Sequence, residues 1–245
     1  MWKRSIQGIA LTFHLAGINN QNFLMRDDQT GTFWQQISGR AVAGPLAGSQ
    51  LDRVPSDELS FALWRGSARS GTVLKPVSAF AKEYATKDWD TRMKRVKTVL
   101  DFPNSGLQSR DLVLGVEAFG VSRAYLVAQL VRDQLTEDRL NGEPVLIVLG
   151  PDQKSLRVFQ VRVQAGQLPS DYYRYTAGTG NATMRTPLFV DSTTGSNWNF
   201  DGCAVSGPAQ GECLPLIQST KDYWFDWRNY HPQTTVFKHP GRVRS

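Results

Sequence analysis

One turn sequence occurs twice, and that repetition constrains the fold of the 245-residue chain more than any other feature. Gly39-Arg40-Ala41-Val42-Ala43-Gly44-Pro45 runs on through Gly48 to Leu51. Gly202-Cys203-Ala204-Val205-Ser206-Gly207-Pro208 runs on through Gly211 to Leu214, displaced by 163 positions (202 − 39). Both copies read Gly-x-Ala-Val-x-Gly-Pro-x-x-Gly-x-x-Leu. Upstream, Asp27, Thr30, Gly31 and Trp34 face Asp191, Thr194, Gly195 and Trp198 at an offset of 164 (191 − 27). Downstream, Trp64-Arg65 faces Trp227-Arg228, and Thr72-Val73-Leu74-Lys75 faces Thr235-Val236-Phe237-Lys238. Unrelated segments agree at roughly one position in fifteen at average residue usage. An internal duplication is the firmest reading of this chain.

Each unit predicts strands, a glycine-proline turn, a short aromatic helix and a closing strand. Leu11 to Leu15 alternates, and Thr32 to Val42 forms a strand region. Gly44-Pro45 suits a tight turn, with proline fixing φ and glycine permitting positive φ. The Lys-Ser/Thr of a P-loop and the three-glycine dinucleotide fingerprint are both absent, so this spacing predicts a turn and not a phosphate cradle. Ser56 precedes acidic Asp57 and Glu58 and predicts a helix start, with Leu59, Leu63 and Trp64 on one face. Ser219 to Asp222 predicts the same before Tyr223 to Trp227. Thr72 to Leu74 and Thr235 to Phe237 read as closing strands.

Between the units, residues 77–108 read as a charged, helix-compatible connector. Leu112 to Val116 reads as a strand and Ser122 to Asp133 as a buried helix. Asn141-Gly142 signals a turn, and Pro144 to Leu149 a short apolar strand. Leu156 to Val163 alternates, which predicts arginine and glutamine on a solvent face. Gly166 to Pro187 reads as a long loop. The expected fold is a β-rich α+β protein with two tandem units about a pseudo-two-fold axis: residues 1–76, a connector over 77–108, and residues 109–245, in one globular body.

Composition narrows the function classes. At 40% hydrophobic and 20% charged residues the chain suits a folded globular protein. No apolar run approaches the roughly 20 residues of a transmembrane helix, and no export signal is read at the start. The net charge of +6 is dispersed; its densest runs, Arg92 to Lys97 and Lys238 to Arg244, lack any nucleic-acid-binding motif. Cys203 and Cys213 stand where the first copy has Arg40 and Gln50, so the shared unit does not need them. In an oxidising compartment they can bridge a hairpin. His14, His231 and His239 make no metal-site spacing with them, and no cofactor is implied by motif.

Taken together, Asp-x-x-Thr-Gly with Trp34-Gln35, the doubled turn, Ala124-Tyr125 after Leu114-Gly115-Val116, and Trp224-Phe225-x-Trp227 with His231-Pro232-x-Thr234 resemble a bacterial family. It is the domain of unknown function 3179 family, and the resemblance covers nearly the whole chain. It implies two tandem copies of one unit, the first lacking its opening segment here. That segment bears an Ala-Tyr-Pro, a His-Glu pair and a Cys-Pro-Leu-Cys stretch in longer members. Ala124-Tyr125-Leu126 replaces Ala-Tyr-Pro in the second unit. Through exported relatives the resemblance implies the bacterial periplasm or cell envelope, and it implies no activity.

Three constellations are candidates for chemistry. Asp27 and Asp191, duplicated beside Trp34 and Trp198, can meet near the axis as a cation or acid-base pair, or each can cap its own Thr-Gly turn. Trp34, Trp198, Trp224 and Trp227 form either core or an aromatic cleft for a small molecule or carbohydrate. Trp224, Phe225 and Trp227 cannot all face one side of a short helix, which favours a cleft or interface for one of them. His231 has no copy in the first unit, where Ala68 stands. It reads as a general base beside Asp222 or Asp226, or as a cation favoured by a helix C-terminus. The expected function is a non-catalytic ligand-binding or scaffold module with an aromatic cleft between units. The rival is a metal-assisted enzyme using Asp27, Asp191 and His231, and a weaker third reading is anionic-polymer binding.

Overall fold

The computed structural model describes residues 1–68, 70–161, 171–174 and 184–238, and within them the protein is β-rich with four short α-helices and several antiparallel sheets. A small hairpin, β1 (Ser5–Ile6) and β2 (Ile9–Ala10), opens the chain. An antiparallel sheet follows in chain order: β3 (Phe13–Asn19), β4 (Asn22–Asp27), β5 (Phe33–Gln35) and β6 (Ala41–Ala43). Trp34 lies opposite Met25 and Ala41, which puts it on the core face, edge-on to Phe13 at 6.1 Å. Leu11, Ala41 and Leu51 close that core. The glycine-proline turn is present: Gly44 has φ 104°, and a Cβ there would stand 2.7 Å from the Thr32 Cα, so only glycine fits.

The first helix, α1 (Phe61–Ser67), starts later than its acidic run predicts. Ser60, not Ser56, caps it, accepting from the Leu63 amide at 3.3 Å. Distant partners take up the expected cap residues. The Ser56 amide donates to Gln218 Oε1 at 2.9 Å, Asp57 pairs with Arg157, and Glu58 accepts from Lys221 Nζ at 3.1 Å. Thr72 to Leu74 forms no strand, because no neighbouring strand takes it up, and Val73 and Leu74 are exposed. The connector is not a continuous helix either. Two 3₁₀ turns, Ser78–Phe80 and Pro103–Ser105, flank the short α2 (Trp89–Met93), and Val77, Phe80 and Val99 stay exposed. Charges at irregular spacing leave no apolar stripe for a longer helix to bury.

The next segment contains β7 (Leu112–Ala118), β8 (Val121–Leu126), α3 (Val127–Asp133), β9 (Leu135–Leu140), β10 (Glu143–Leu149) and β11 (Leu156–Gln160). Ser122 to Asp133 is therefore half strand and half helix. Phe119 and Gly120 both take positive φ and fold β8 back on β7, so Ala124 and Tyr125 are strand residues and Leu130 is the buried helix residue. Asn141-Gly142 makes the expected turn between β9 and β10. Arg157 is not on a solvent face. It is 9% exposed and bonded to Asp57, to the Phe200 carbonyl at 2.9 Å and to Asp201 at 2.7 Å. The cause is that β11 is covered on both faces, with Val158 in one core and Phe159 and Val161 in another.

The last segment holds β12 (Tyr172–Arg174), β13 (Pro187–Asp191), β14 (Asn197–Asn199), β15 (Ala204–Ser206), β16 (Leu216–Ile217), β17 (Ser219–Tyr223), α4 (Trp224–Tyr230) and β18 (Thr235–Val236). Most of the loop expected over Gly166 to Pro187 lies outside the described residues, as do Arg162, Val163 and the tail from His239. Within that span β12 is a strand, paired with β13. Ser219 to Asp222 is likewise a strand and not a helix start, because the edge of β7 takes it up through Tyr223. The sheet orders are β17-β7-β8-β18, β16-β11-β10-β9 and β12-β13-β14-β15. Cys203 and Cys213 form a disulfide. It joins a bridge pair at the place where Arg40 and Gln50 face each other in the first sheet.

Candidate functional site

Two tight constellations recur at the sequence-predicted aspartates. Asp27 Oδ2 accepts from Trp34 Nε1 at 2.8 Å, Thr30 Oγ1 at 2.9 Å and the Thr32 amide at 3.2 Å. Asp191 Oδ2 accepts from Trp198 Nε1 at 2.9 Å and Thr194 Oγ1 at 2.7 Å, while Oδ1 takes the Thr194 amide at 2.6 Å. Burial pushes both carboxyls up. For Asp27 the bonds from Trp34, Thr30 and Thr32 outweigh it, and for Asp191 those from Thr194, Trp198 and Ser196 do, so both are held below the ordinary carboxylate range. Each aspartate is thus an acceptor fully engaged by its own turn. Among the described residues no group of three or more His, Cys, Asp or Glu is placed to hold a metal.

The four named tryptophans fall in three cores. Trp34 packs with Leu11 and Leu51, Trp198 stacks on Phe189 at 6.4 Å, and Trp224 and Trp227 pack with Val113 and Ala124. All four are at least 95% buried. Trp227 and Trp224 nevertheless form walls of two separate cavities.

The larger cavity, about 560 Å³, lies between the first sheet and α4. Trp2, Arg40, Gln50 and Arg53 line it from the amino-terminal side, and Glu117, Thr220, Trp227, Tyr230 and His231 from the other. Gly115 allows α4 to sit this close, since a Cβ there would stand 2.3 Å from the Trp227 ring. His231 follows the helix and stacks on Trp227 at 3.6 Å and 15°. Its Nδ1 is 3.1 Å from the Trp227 carbonyl, which assigns the proton of the neutral ring to Nδ1. The Nε2 lone pair is then left 3.8 Å from Glu117 Oε2. Burial lowers the His231 pKa more than the Trp227 carbonyl and Glu117 raise it, so the ring is neutral near pH 7. Arg53 lies 3.8 Å from Glu117 and 5.7 Å from the centre of the Trp2 ring.

A second feature, which the sequence suggested only as neighbours of His231, is a carboxyl pair at the root of α4. Asp222 is the next-to-last residue of β17 and Asp226 is in the first helical turn. Asn22, at the tip of the β3–β4 hairpin, donates its amide to Asp226 Oδ2 at 2.9 Å. Asp222 Oδ2 and Asp226 Oδ1 are buried with no hydrogen-bond donor. Burial and the mutual charge push the Asp222 carboxyl up to about 8, and burial raises Asp226 as well against the pull of Asn22, Asp222, Arg110 and His231. One proton shared between the two orphaned oxygens satisfies both, so the pair titrates as a unit. The sequence signal for it is a contrast between residues 163 positions apart: Asp222 and Asp226 stand where Leu59 and Leu63 are apolar (222 − 59 and 226 − 63).

Fold and site together define a β-rich α+β protein with a polar, aromatic-walled cleft beside its last helix. Residues 1–234 match the family described as Protein of unknown function (DUF3179), and the chain belongs to that family. No curated protein and no solved structure matches it.

Proposed function

We propose that the protein is a ligand-binding module that seats a small polar molecule of carbohydrate size in the cleft between the amino-terminal sheet and α4. The observation that carries this reading is the composition of the 560 Å³ cavity wall. Trp2 and Tyr230 offer aromatic surface, while Arg40, Arg53, Gln50, Glu117 and His231 converge with both donors and acceptors. Pockets of this size with a few converging polar groups are the usual form of small-molecule sites. Opposite charges in the wall suit a neutral, hydroxyl-rich ligand better than a polyanion.

We further infer that the two halves are copies of one unit about a pseudo-two-fold axis. Matching Asp-Thr-Trp constellations in two sheets of the same strand order support this. So does the Lys221–Glu58 ion pair, because those residues are 163 apart (221 − 58), the offset of the repeat. Aligned residues that touch each other are what such an axis requires. The disulfide supports an oxidising compartment such as the cell envelope. A hydrolytic reading has one observation in its favour, the approach of His231 Nε2 to Glu117 Oε2 at 3.8 Å.

The test is a titration of the full chain with a panel of mono- and disaccharides, followed by tryptophan fluorescence and calorimetry. A Thr220→Trp variant that fills the cavity is run beside it. The expected result is saturable binding of at least one sugar that is lost in the filled variant. Binding by neither protein, or equally by both, refutes the assignment. Release of product from a nitrophenyl glycoside or ester, abolished in His231→Ala, would favour the hydrolytic reading.

A further inference from the structure

The connector and the tip of the first sheet keep large apolar side chains in water. Among the described residues eighteen large hydrophobics are exposed, and eight of them lie between Val73 and Val99. Trp89 and Val96 are in that group, and Val99 is 62% exposed. Ile18 and Phe23, cross-strand partners next to the β3–β4 turn, are 67% and 52% exposed. Single exposed apolar residues are ordinary, but a concentration of them marks a contact surface. None of these five residues lines the cleft beside α4.

Gln21 holds the two segments together. Asn20 and Gln21 both take positive φ at the hairpin tip. The Gln21 side chain clamps the connector backbone: its Nε2 donates to the Lys97 carbonyl and its Oε1 accepts from the Val99 amide, each at 3.2 Å. Those bonds put the hairpin tip, and with it Ile18 and Phe23, next to the run from Val96 to Val99. Upstream, α2 continues into further turns, with the Lys94, Arg95 and Val96 amides donating to the carbonyls of Asp90, Arg92 and Met93. Trp89 and Val96, seven positions apart, therefore fall on one side of these turns. Arg92, Lys94, Arg95 and Lys97 are interleaved with the apolar groups, and no acid stands between Asp90 and Asp101. Arg92 pairs with Asp88 at 3.6 Å. Among the described residues no ion pair engages the other three cations.

Exposed aromatic and aliphatic side chains interleaved with unpaired cations are complementary to an anionic lipid surface. Headgroup phosphates take the cations, and the boundary of the acyl chains takes the apolar groups. A soluble polyanion would satisfy the charges and leave Ile18, Phe23 and Val99 in water. An apolar protein partner would cover the cations without a counter-charge. We propose that the β3–β4 tip and residues 89–99 dock the protein, as a peripheral contact, on the surface of an anionic lipid bilayer.

The test is co-sedimentation of the full chain with vesicles of equal parts phosphatidylcholine and phosphatidylglycerol. Vesicles of phosphatidylcholine alone and a heparin column are run beside them. The expected result is binding to the mixed vesicles only, falling as salt is added. Brominated acyl chains should quench Trp89 fluorescence, a signal absent in Trp89→Phe. At about five-fold per cation near an anionic surface, Lys94→Gln/Arg95→Gln/Lys97→Gln should bind about a hundred-fold more weakly. Phe23→Ser/Val99→Ser should weaken binding at least about ten-fold through lost apolar burial. Should that pair fail to fold, Val99→Ser alone takes its place, with about a four-fold loss expected. No binding to the mixed vesicles, or unchanged affinity in either folded variant, would overturn the proposal. Retention on heparin that survives Phe23→Ser/Val99→Ser, as vesicle binding also does, would assign the surface to a polyanion instead. Self-association without vesicles that is lost in the same variant would assign it to a second copy of the chain.

Discussion

Replacing Asp222 by asparagine should make the protein more stable at pH 8 and leave it nearly unchanged at pH 5. The folded chain holds the Asp222 carboxyl up at about 8, against an ordinary value of 3.8. A folded-state pKa raised above the unfolded one means that the native protein keeps a proton which the unfolded chain releases above about pH 4. Stability must therefore fall as pH rises from about 4 to 8, with a slope of at most about 1.4 kcal/mol per pH unit for one proton. From pH 5 to pH 8 the ceiling is about 4 kcal/mol, and water reaching the pair would lower it. The amide of the Asp222→Asn variant can donate to Asp226 Oδ1 at every pH, doing permanently what the shared proton does below pH 8.

Other groups also titrate in this range. His231 has a lowered pKa in the folded state and contributes stability that rises with pH through 6.5, the opposite sign. Glu137 is raised by burial and adds a further loss at higher pH. Both are present in wild type and variant, so the difference between the two proteins isolates the carboxyl pair. The assay is urea unfolding followed by tryptophan fluorescence at pH 5, 6, 7 and 8. The variant should gain on the wild type by about 2–4 kcal/mol across that interval. Two stability curves that run parallel to within about 0.5 kcal/mol would refute the shared-proton reading.

Two further outcomes follow from the repeated constellations and the bridge. Asp27→Asn and Asp191→Asn should each cost about 2 kcal/mol in urea unfolding, because a charged acceptor that satisfies an indole and a threonine is lost in each. The costs should add in the double variant, the two residues sharing no partner. Cys203→Ser/Cys213→Ser should lose about 2.7 kcal/mol, the loop-closure value for a ten-residue separation, and reduction of the wild type with dithiothreitol should reproduce that loss.

What the sequence made legible was set by short-range chemistry. The Gly44-Pro45 and Asn141-Gly142 turns, β10 and the Asp-Thr-Gly-Trp turns are each specified by residues within a few positions of one another. The misreadings have a common cause, which is competition from distant partners. Ser56 has good cap chemistry but is engaged by Gln218, and Ser219 to Asp222 has the same chemistry and is taken by the edge of β7. Ala124 to Val131 has helical spacing, but the Phe119-Gly120 turn commits its first part to β8. Arg157 alternates as a solvent residue and is buried because both faces of β11 are covered. Nothing local to position 157 announces Asp57 and Asp201 as its partners.

If the proposed duplication holds, the aligned pairs also separate what holds the unit together from what sets one half apart. Positions that agree, Asp27 and Asp191, Trp34 and Trp198, Gly44 and Gly207, all serve turns and cores. A candidate site is better sought where the halves disagree. Where the first unit has Leu59, Phe61, Leu63 and Ala68, the second has Asp222, Trp224, Asp226 and His231. Each difference places a polar group on or beside α4, where burial is unfavourable to it. One such difference is a tolerable accident; four between Asp222 and His231 need a gain elsewhere. The two cavities on either side of that helix are where the gain is to be measured. Exchanging all four positions at once is not needed to decide it, because Trp224→Phe and His231→Ala report on the two cavities separately. If both variants gain stability and lose no ligand, the polar groups on and beside α4 serve neither cavity.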